Sequence, residues 1–106
     1  MNPEIKQQWT AALRSGEYKQ AVAALRNENA FCCLGVLCDL HSKATGTAWR
    51  DNEYGGREDV LPNLVAEWAG LLDANPIPPG ETLSLAELND RGDTFAQIAD
   101  LIEGGL

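Results

Sequence analysis

Three cysteines and a histidine are the side chains of this sequence with the character of metal ligands or nucleophiles. They are Cys32, Cys33, Cys38 and His41. On a helix, Cys38 and His41 share a face, but Cys33 lies about 140° around the axis from Cys38. A structural zinc site needs four converging ligands, and the sequence has no other Cys or His to complete the set. We therefore expect no metal, and cysteines that pack as small apolar side chains.

A Cys38–His41 catalytic pair is the second chemistry to consider. A thiol within an apolar helix has a raised pKa, which removes the thiolate that a nucleophile needs. A phosphate-binding glycine loop is not indicated either, because Gly55-Gly56 is followed by Arg-Glu-Asp, whose acids repel phosphate. The sequence thus predicts no catalytic residues, no cofactor and no enzymatic activity.

The cysteines belong to the most apolar stretch of the sequence, residues 31–40. Apolar side chains at 33, 34, 36, 37 and 40 follow helical spacing, and Gly46 supplies a stop. A buried parallel strand is the alternative, and Gly35 in the middle of the run fits neither structure well. We predict a buried helix with Cys33 and Leu37 on its core-facing side.

Length and charge limit the classes of function. The 106 residues predict one domain, 1–106, which is large enough to build its own core. A net charge of −8 argues against direct binding to nucleic acid or to anionic membranes, and no apolar run is long enough to span a bilayer. The start of the sequence lacks a secretory pattern, so we expect a cytosolic protein with reduced cysteines.

The negative charge is concentrated in the second half, where residues 51–106 carry twelve acids against Arg57 and Arg91. The first 50 residues instead carry six Lys and Arg against four acids. An acidic surface can meet a basic surface on a partner protein. The alternative interpretation is that the charge only keeps a small domain dispersed in solution.

Capping and spacing patterns predict a mainly α (α+β) fold, a single compact domain of about four to five helices with a small β-hairpin. Asn2 caps a first helix over about 3–15, and residues 18–26 have the composition of a second helix or of an irregular connection. Asp51-Asn52 predicts the turn of a hairpin over 47–54. Further helices are predicted from about Pro62 to Gly70, over 85–88 after a Ser84 capping box, and from Thr94 to about Gly104, with a proline-rich loop at 73–80.

Several motifs together give the sequence a resemblance. They are Trp9-x3-Leu13-Arg-Ser-Gly16-x-Tyr18-x-Gln20, Leu25-Arg26, Phe31-Cys-Cys-Leu-Gly-Val-Leu-Cys-Asp39, Val60-Leu-Pro62, Glu67-Trp-Ala-Gly70 and Leu88-Asn-Asp-x-Gly92-x-Thr94-Phe95-x2-Ile98-Ala-Asp100. As a set, covering nearly the whole chain, this pattern resembles a family of small uncharacterised proteins encoded in phages and prophages. The sequence departs from the commoner pattern at Ala21-Val22-Ala23-Ala24, where glycines are expected. The resemblance brings no catalytic residues, and it implies a phage accessory protein, a class rich in inhibitors of host factors and of host immunity.

We therefore hypothesise an inhibitor that binds one host protein in the host cytoplasm, such as a nucleic-acid-binding component of a CRISPR defence system. The expected contact residues are Trp49, Asp51, Glu53, Tyr54, Glu58 and Asp59. The acids would occupy a basic groove in place of phosphates, and the two aromatic rings would anchor the interface. Alternatively, the rings cover the core and the acids are solvated, or the protein is a virion structural or assembly component. We expect a monomer or small homo-oligomer.

Overall fold

The computed structural model describes all residues, 1–106, as five helices and three short strands around one continuous core. This confirms the α+β class. In chain order the elements are α1 Pro3–Arg14, β1 Lys19–Gln20, β2 Arg26–Asn27, β3 Ala30–Phe31, α2 Cys33–Thr45, α3 Asn63–Ala69, α4 Leu85–Asp90 and α5 Phe95–Gly105. None of the helices combines the length and the apolar character needed to cross a membrane.

The predicted caps set the beginnings of three helices. The Asn2 side chain accepts hydrogen bonds from the backbone N–H groups of Glu4, at 2.9 Å, and Ile5, at 3.2 Å. Ser84 begins α4 and Thr94 begins α5, each with a complete capping box. Each cap satisfies backbone donors that the first turn of a helix leaves free, so these ends are local properties of the sequence.

Helix α2 is the centre of the fold and confirms the predicted buried helix; the strand alternative is wrong. Cys33 and Leu37 are both fully buried, as expected. Trp9 from α1 donates its indole N–H to the Cys33 carbonyl at 2.9 Å, which fixes the first helix against the beginning of α2. The helix ends at Gly46, whose φ of 79° lies in the left-handed region that glycine adopts freely.

The first and last helices, α1 and α5, pack against each other more extensively than any other pair of elements. Arg14 near the end of α1 donates to Asp100 at 2.7 Å and to Glu103 at 2.5 Å, both on α5. A cation from the basic half of the sequence thus pairs with two acids from the acidic half. Folding therefore brings part of the basic half of the sequence into contact with part of the acidic half.

Of the two structures predicted for residues 18–26, the helix is wrong and the irregular connection is confirmed: a loop joins β1 to β2. Strand β3 lies in the middle of the sheet, parallel to β1 and antiparallel to β2. Distant side chains bind this segment: Asn89 donates to the Ala21 carbonyl at 2.7 Å, and Asp90 accepts from the Ala23 N–H at 2.9 Å. Ala23 also has a φ of 65°, which no right-handed helix contains.

The predicted hairpin over 47–54 is replaced by two consecutive tight turns. Arg50 and Glu53 exchange backbone hydrogen bonds of 3.0 and 2.9 Å around the predicted Asp51-Asn52 turn. Tyr54 and Arg57 then do the same across two glycines, at 2.9 and 3.0 Å. Because the chain reverses again immediately after Tyr54, the pairing stops at one bridge and no strand forms.

Candidate protein-binding surface

Three of the four predicted acids line one shallow groove of about 440 Å³. Its walls carry Glu53, Glu58 and Asp59 together with Arg57, and the remaining lining residues are Ala23, Ala24 and Gly56. We call these seven residues the acidic groove. Asp51, the fourth acid, is exposed on the preceding turn and does not line the groove. The structure therefore brings together most, but not all, of the predicted acidic contacts.

Hydrogen bonds donated by backbone N–H groups hold the two sides of the acidic groove together. The Leu25 N–H donates to the Glu58 carbonyl at 2.7 Å, and the Glu28 N–H donates to the Asn52 side chain at 3.2 Å. The segment that replaced the predicted second helix thereby becomes one wall of the site. This wall was not identified from the sequence, because its position depends on partners more than twenty residues away.

The carboxylates of the acidic groove differ in their pairing. Arg57 donates to Asp59 at 3.1 Å, and this hydrogen bond lowers the pKa of the Asp59 carboxyl. Asp59 also accepts from the Val60 N–H at 2.9 Å. Glu53 and Glu58 form no ion pair within the chain. The groove thus presents two carboxylates without an ion pair, Glu53 and Glu58, beside Asp59, which is paired with Arg57.

The two predicted aromatic contacts lie at different depths. Tyr54 is 0% exposed, and the structure therefore places it in the core rather than on the surface. Trp49 is half-buried, and its ring centroid lies 4.9 Å from that of Tyr54. Of the two rings, only Trp49 has surface that a partner can touch. Tyr54 instead supports Trp49 from below.

Trp49 also belongs to a row of three aromatic rings, which we call the aromatic row: Tyr18, Phe31 and Trp49. The Phe31 centroid lies 5.2 Å from that of Tyr18 and 5.7 Å from that of Trp49, both in edge-to-face geometry. Asp39 on α2 accepts from the Tyr18 hydroxyl at 2.6 Å and from the Trp49 indole at 3.1 Å. This carboxylate fixes both ends of the row. The only sign of that role in the sequence is that Asp39 is the single acid within an apolar run.

The three cysteines are free and buried. Burial raises the pKa of the Cys32 thiol to about 11 and that of Cys33 well above its usual value. Cys32 caps α2 by accepting from the Gly35 N–H at 3.4 Å, and Cys33 donates to the Leu85 carbonyl at 3.5 Å. No group of three or more His, Cys, Asp or Glu side chains is arranged to hold a metal ion.

His41 lies in a buried polar contact. Its Nδ1 atom is 2.6 Å from the Tyr54 hydroxyl, and its ring packs edge-on against Trp68 at 5.1 Å between centroids. The ring is 5% exposed, and this desolvation lowers the pKa of His41. The contact joins α2 to the base of the tight turns and to α3.

We expect the free energy of unfolding to fall as the pH drops below about 6.5, the ordinary histidine value. The unfolded chain binds a proton on His41 at a higher pH than the folded protein does, so acid favours unfolding until the lowered folded-state pKa is passed. Urea denaturation at pH 7.5 and 5.0 measures this. A His41→Gln variant is the control and should lose less stability over the same range; equal losses would show that His41 is not the group responsible.

An exposed apolar surface lies beside the loop that follows α3. Leu72 is fully exposed and Ile77 is 56% exposed, and both line a shallow groove of about 220 Å³ with Met1, Leu71 and Leu106. The chain around them is held in place, since Leu61 donates to the Ala74 carbonyl at 3.0 Å. The prolines of this loop predict it from the sequence, but the exposure of its apolar side chains is evident only in the folded structure.

Comparison with known proteins gives one match. The family model described as "Domain of unknown function (DUF8296)" matches residues 1–106. No curated protein and no solved structure matches the chain.

Proposed function

The chain belongs to the DUF8296 family, and we propose that it is a small phage accessory protein that binds one host protein and inhibits it. The resemblance of its motifs to phage- and prophage-encoded proteins supports the biological setting, which is the host cytoplasm. The target class that fits best is a nucleic-acid-binding component of a host defence system, so that the protein acts as a counter-defence, anti-CRISPR type inhibitor.

The observation that carries this proposal is the pair of unpaired carboxylates, Glu53 and Glu58, in the acidic groove. A protein groove that binds nucleic acid is lined by Lys and Arg spaced to meet phosphates. Two carboxylates on firmly held turns offer such cations an alternative partner, and electrostatic complementarity directs the encounter. Trp49 precedes Arg50, whose backbone pairs with that of Glu53, and it supplies the kind of aromatic surface that often dominates binding energy.

The test is capture of a partner from lysates of defence-bearing hosts. We expect the double variant Glu53→Lys/Glu58→Lys to recover the partner at least ten-fold less well than the wild-type protein, because both unpaired carboxylates become cations. Asp59 stays unchanged, since it is paired within the chain. The matched control is Glu17→Lys/Glu67→Lys, which makes the same change in net charge at two exposed acids outside the groove.

Three outcomes contradict parts of the proposal. Equal recovery by both double variants would exclude the acidic groove as the contact. Recovery of no specific partner from any defence-bearing host would remove the inhibitor function. Abundance of the protein in purified phage particles would instead identify a structural or assembly protein of the virion.

A further inference from the structure

Arg26 is the arginine whose guanidinium is held in place without a carboxylate. Its Cζ atom lies 5.7 Å from the Phe31 ring centroid and 5.3 Å from that of Trp49, so the guanidinium covers two rings of the aromatic row. Its Nε atom donates to the Glu28 carbonyl at 2.7 Å. Glu28 has a φ of 56°, the left-handed conformation that goes with this carbonyl position. One hydrogen bond and two rings therefore fix the guanidinium.

The two terminal nitrogens of Arg26, Nη1 and Nη2, make no hydrogen bond within the chain. They are not buried, since the structure contains no buried side-chain nitrogen or oxygen without a partner. The arginines at 14, 57 and 91 all pair with carboxylates of this chain. Arg50 also lacks an acidic partner, but its side chain makes no hydrogen bond and no ring contact, so Arg26 is the unpaired arginine whose guanidinium is fixed.

We propose that the Nη1 and Nη2 atoms of Arg26 bind a carboxylate of the partner protein, an Asp or Glu side chain, in a bidentate ion pair. A planar guanidinium with its orientation already fixed loses little entropy on forming two parallel hydrogen bonds. This inference rests on the proposed protein-binding function and adds a second contact to it. Arg and Trp are also the residue types most enriched among the dominant contacts of interfaces.

The position of Arg26 relative to the acidic groove indicates the chemistry of the partner surface. The residue before Arg26, Leu25, donates its N–H to the carbonyl of Glu58 in the groove at 2.7 Å, and Ala24 of the groove is two residues before Arg26. The two sites are therefore neighbours of opposite charge. A complementary partner presents cations to Glu53 and Glu58 and, next to them, one acidic side chain to Arg26.

A nucleic acid fits this surface less well than a protein does. Affinity for nucleic acid comes from several cations that each contact a phosphate. Each such contact makes the binding constant more dependent on salt concentration. Here two arginines without an acidic partner, Arg26 and Arg50, accompany two unpaired carboxylates, on a chain of net charge −8. The arrangement of mixed charge matches a protein surface rather than a chain of phosphates.

Two peptide probes and one oligonucleotide test the assignment by NMR on the whole ¹⁵N-labelled protein. The first peptide is an acetylated and amidated octapeptide of alternating Lys and Glu, and the second has Gln in place of each Glu. The third probe is hexathymidylate. The signals to follow are the Nε–Hε group of Arg26 and the indole N–H of Trp49, with the buried indole of Trp9 as the internal reference.

We expect the Lys-Glu peptide to move the Arg26 signal in a saturable way while the Lys-Gln peptide leaves it in place. Arg26→Gln should weaken Lys-Glu binding, read from Trp49, at least five-fold, whereas Lys19→Gln, an equal loss of charge at an exposed position, should weaken it less than two-fold. Equal movement of the Arg26 signal with both peptides, or none with either, overturns the proposal. Tighter binding of hexathymidylate at Arg26 overturns it in favour of a nucleic acid.

The outcome is independent of the host-capture experiment. Carboxylate binding at Arg26 without any captured host partner would support the Arg26 contact and contradict the inhibitor function. If capture of a partner depends on Glu53 and Glu58 while the Arg26 signal does not respond to the peptides, the proposed function is supported and the Arg26 contact is contradicted.

Discussion

A Gly35→Ala variant should lose most or all of its stability, with a cost of about 4 kcal/mol or more. Gly35 lies in α2 directly beneath the backbone of Leu25, and a methyl group there would lie 2.7 Å from the Leu25 carbonyl carbon and closer still to its oxygen. That carbonyl cannot move away freely, because it accepts from the Cys32 N–H at 3.2 Å. Close-packed interiors do not absorb such an overlap without shifting the backbone. Circular dichroism during urea denaturation measures the loss.

The control is Gly104→Ala on α5, where the added methyl group has no neighbour within 4 Å. Alanine is favoured over glycine inside a helix by roughly 0.5–1 kcal/mol, so this variant should be slightly more stable than the wild-type protein. A Gly35→Ala protein with an unchanged urea midpoint would mean that Leu25 does not approach α2 this closely.

An Asn89→Ala variant should have a free energy of unfolding lower by about 3–5 kcal/mol. Asn89 is fully buried, and its oxygen accepts from Gln20 at 2.9 Å and from the Cys33 N–H at 3.1 Å. Its amide nitrogen donates to the Ala21 carbonyl at 2.7 Å. Removing the side chain leaves a backbone donor at the beginning of α2 and a backbone acceptor near β1 without partners. Each unsatisfied group costs about 1–3 kcal/mol.

Asn63→Ala provides the matched comparison, because Asn63 is exposed at the first position of α3. We expect a change within about 0.5 kcal/mol there. Thermal melts of both variants under identical conditions make the comparison, and similar midpoints for the two would contradict the role assigned to Asn89. The Asn89 contacts also join three of the motifs on which the phage resemblance rests, those containing Gln20, Cys33 and Asn89.

Local signals explain which elements could be predicted from the sequence. The caps at Asn2, Ser84 and Thr94 act on backbone groups within three residues, so their patterns identify helix beginnings directly. The segment from residue 18 to 26 has equally helical composition, but its structure is decided by Asn89 and Asp90, more than sixty residues away. Tertiary contacts of this kind override propensity and leave no local trace.

The same distinction applies to the candidate surface. Glu53, Glu58 and Asp59 could be identified because they are close in sequence and flank glycines, and the structure places all three on one groove. Tyr54 was expected beside them, yet its hydroxyl lies 2.6 Å from His41 in the core. The role of Arg26 could not be predicted, because it depends on Phe31 and Trp49 meeting across two different segments.

The packing of α1 against α5 has a consequence for the order of events during synthesis. Helix α1 has its largest contact with α5, so part of its apolar face lacks its partner until α5 has been translated. Contacts between distant parts of a chain also form slowly, because closing the intervening loop costs entropy. The nascent chain therefore carries a partly uncovered amphipathic helix while the residues between α1 and α5 are translated, and chaperones that bind such helices have that interval in which to act.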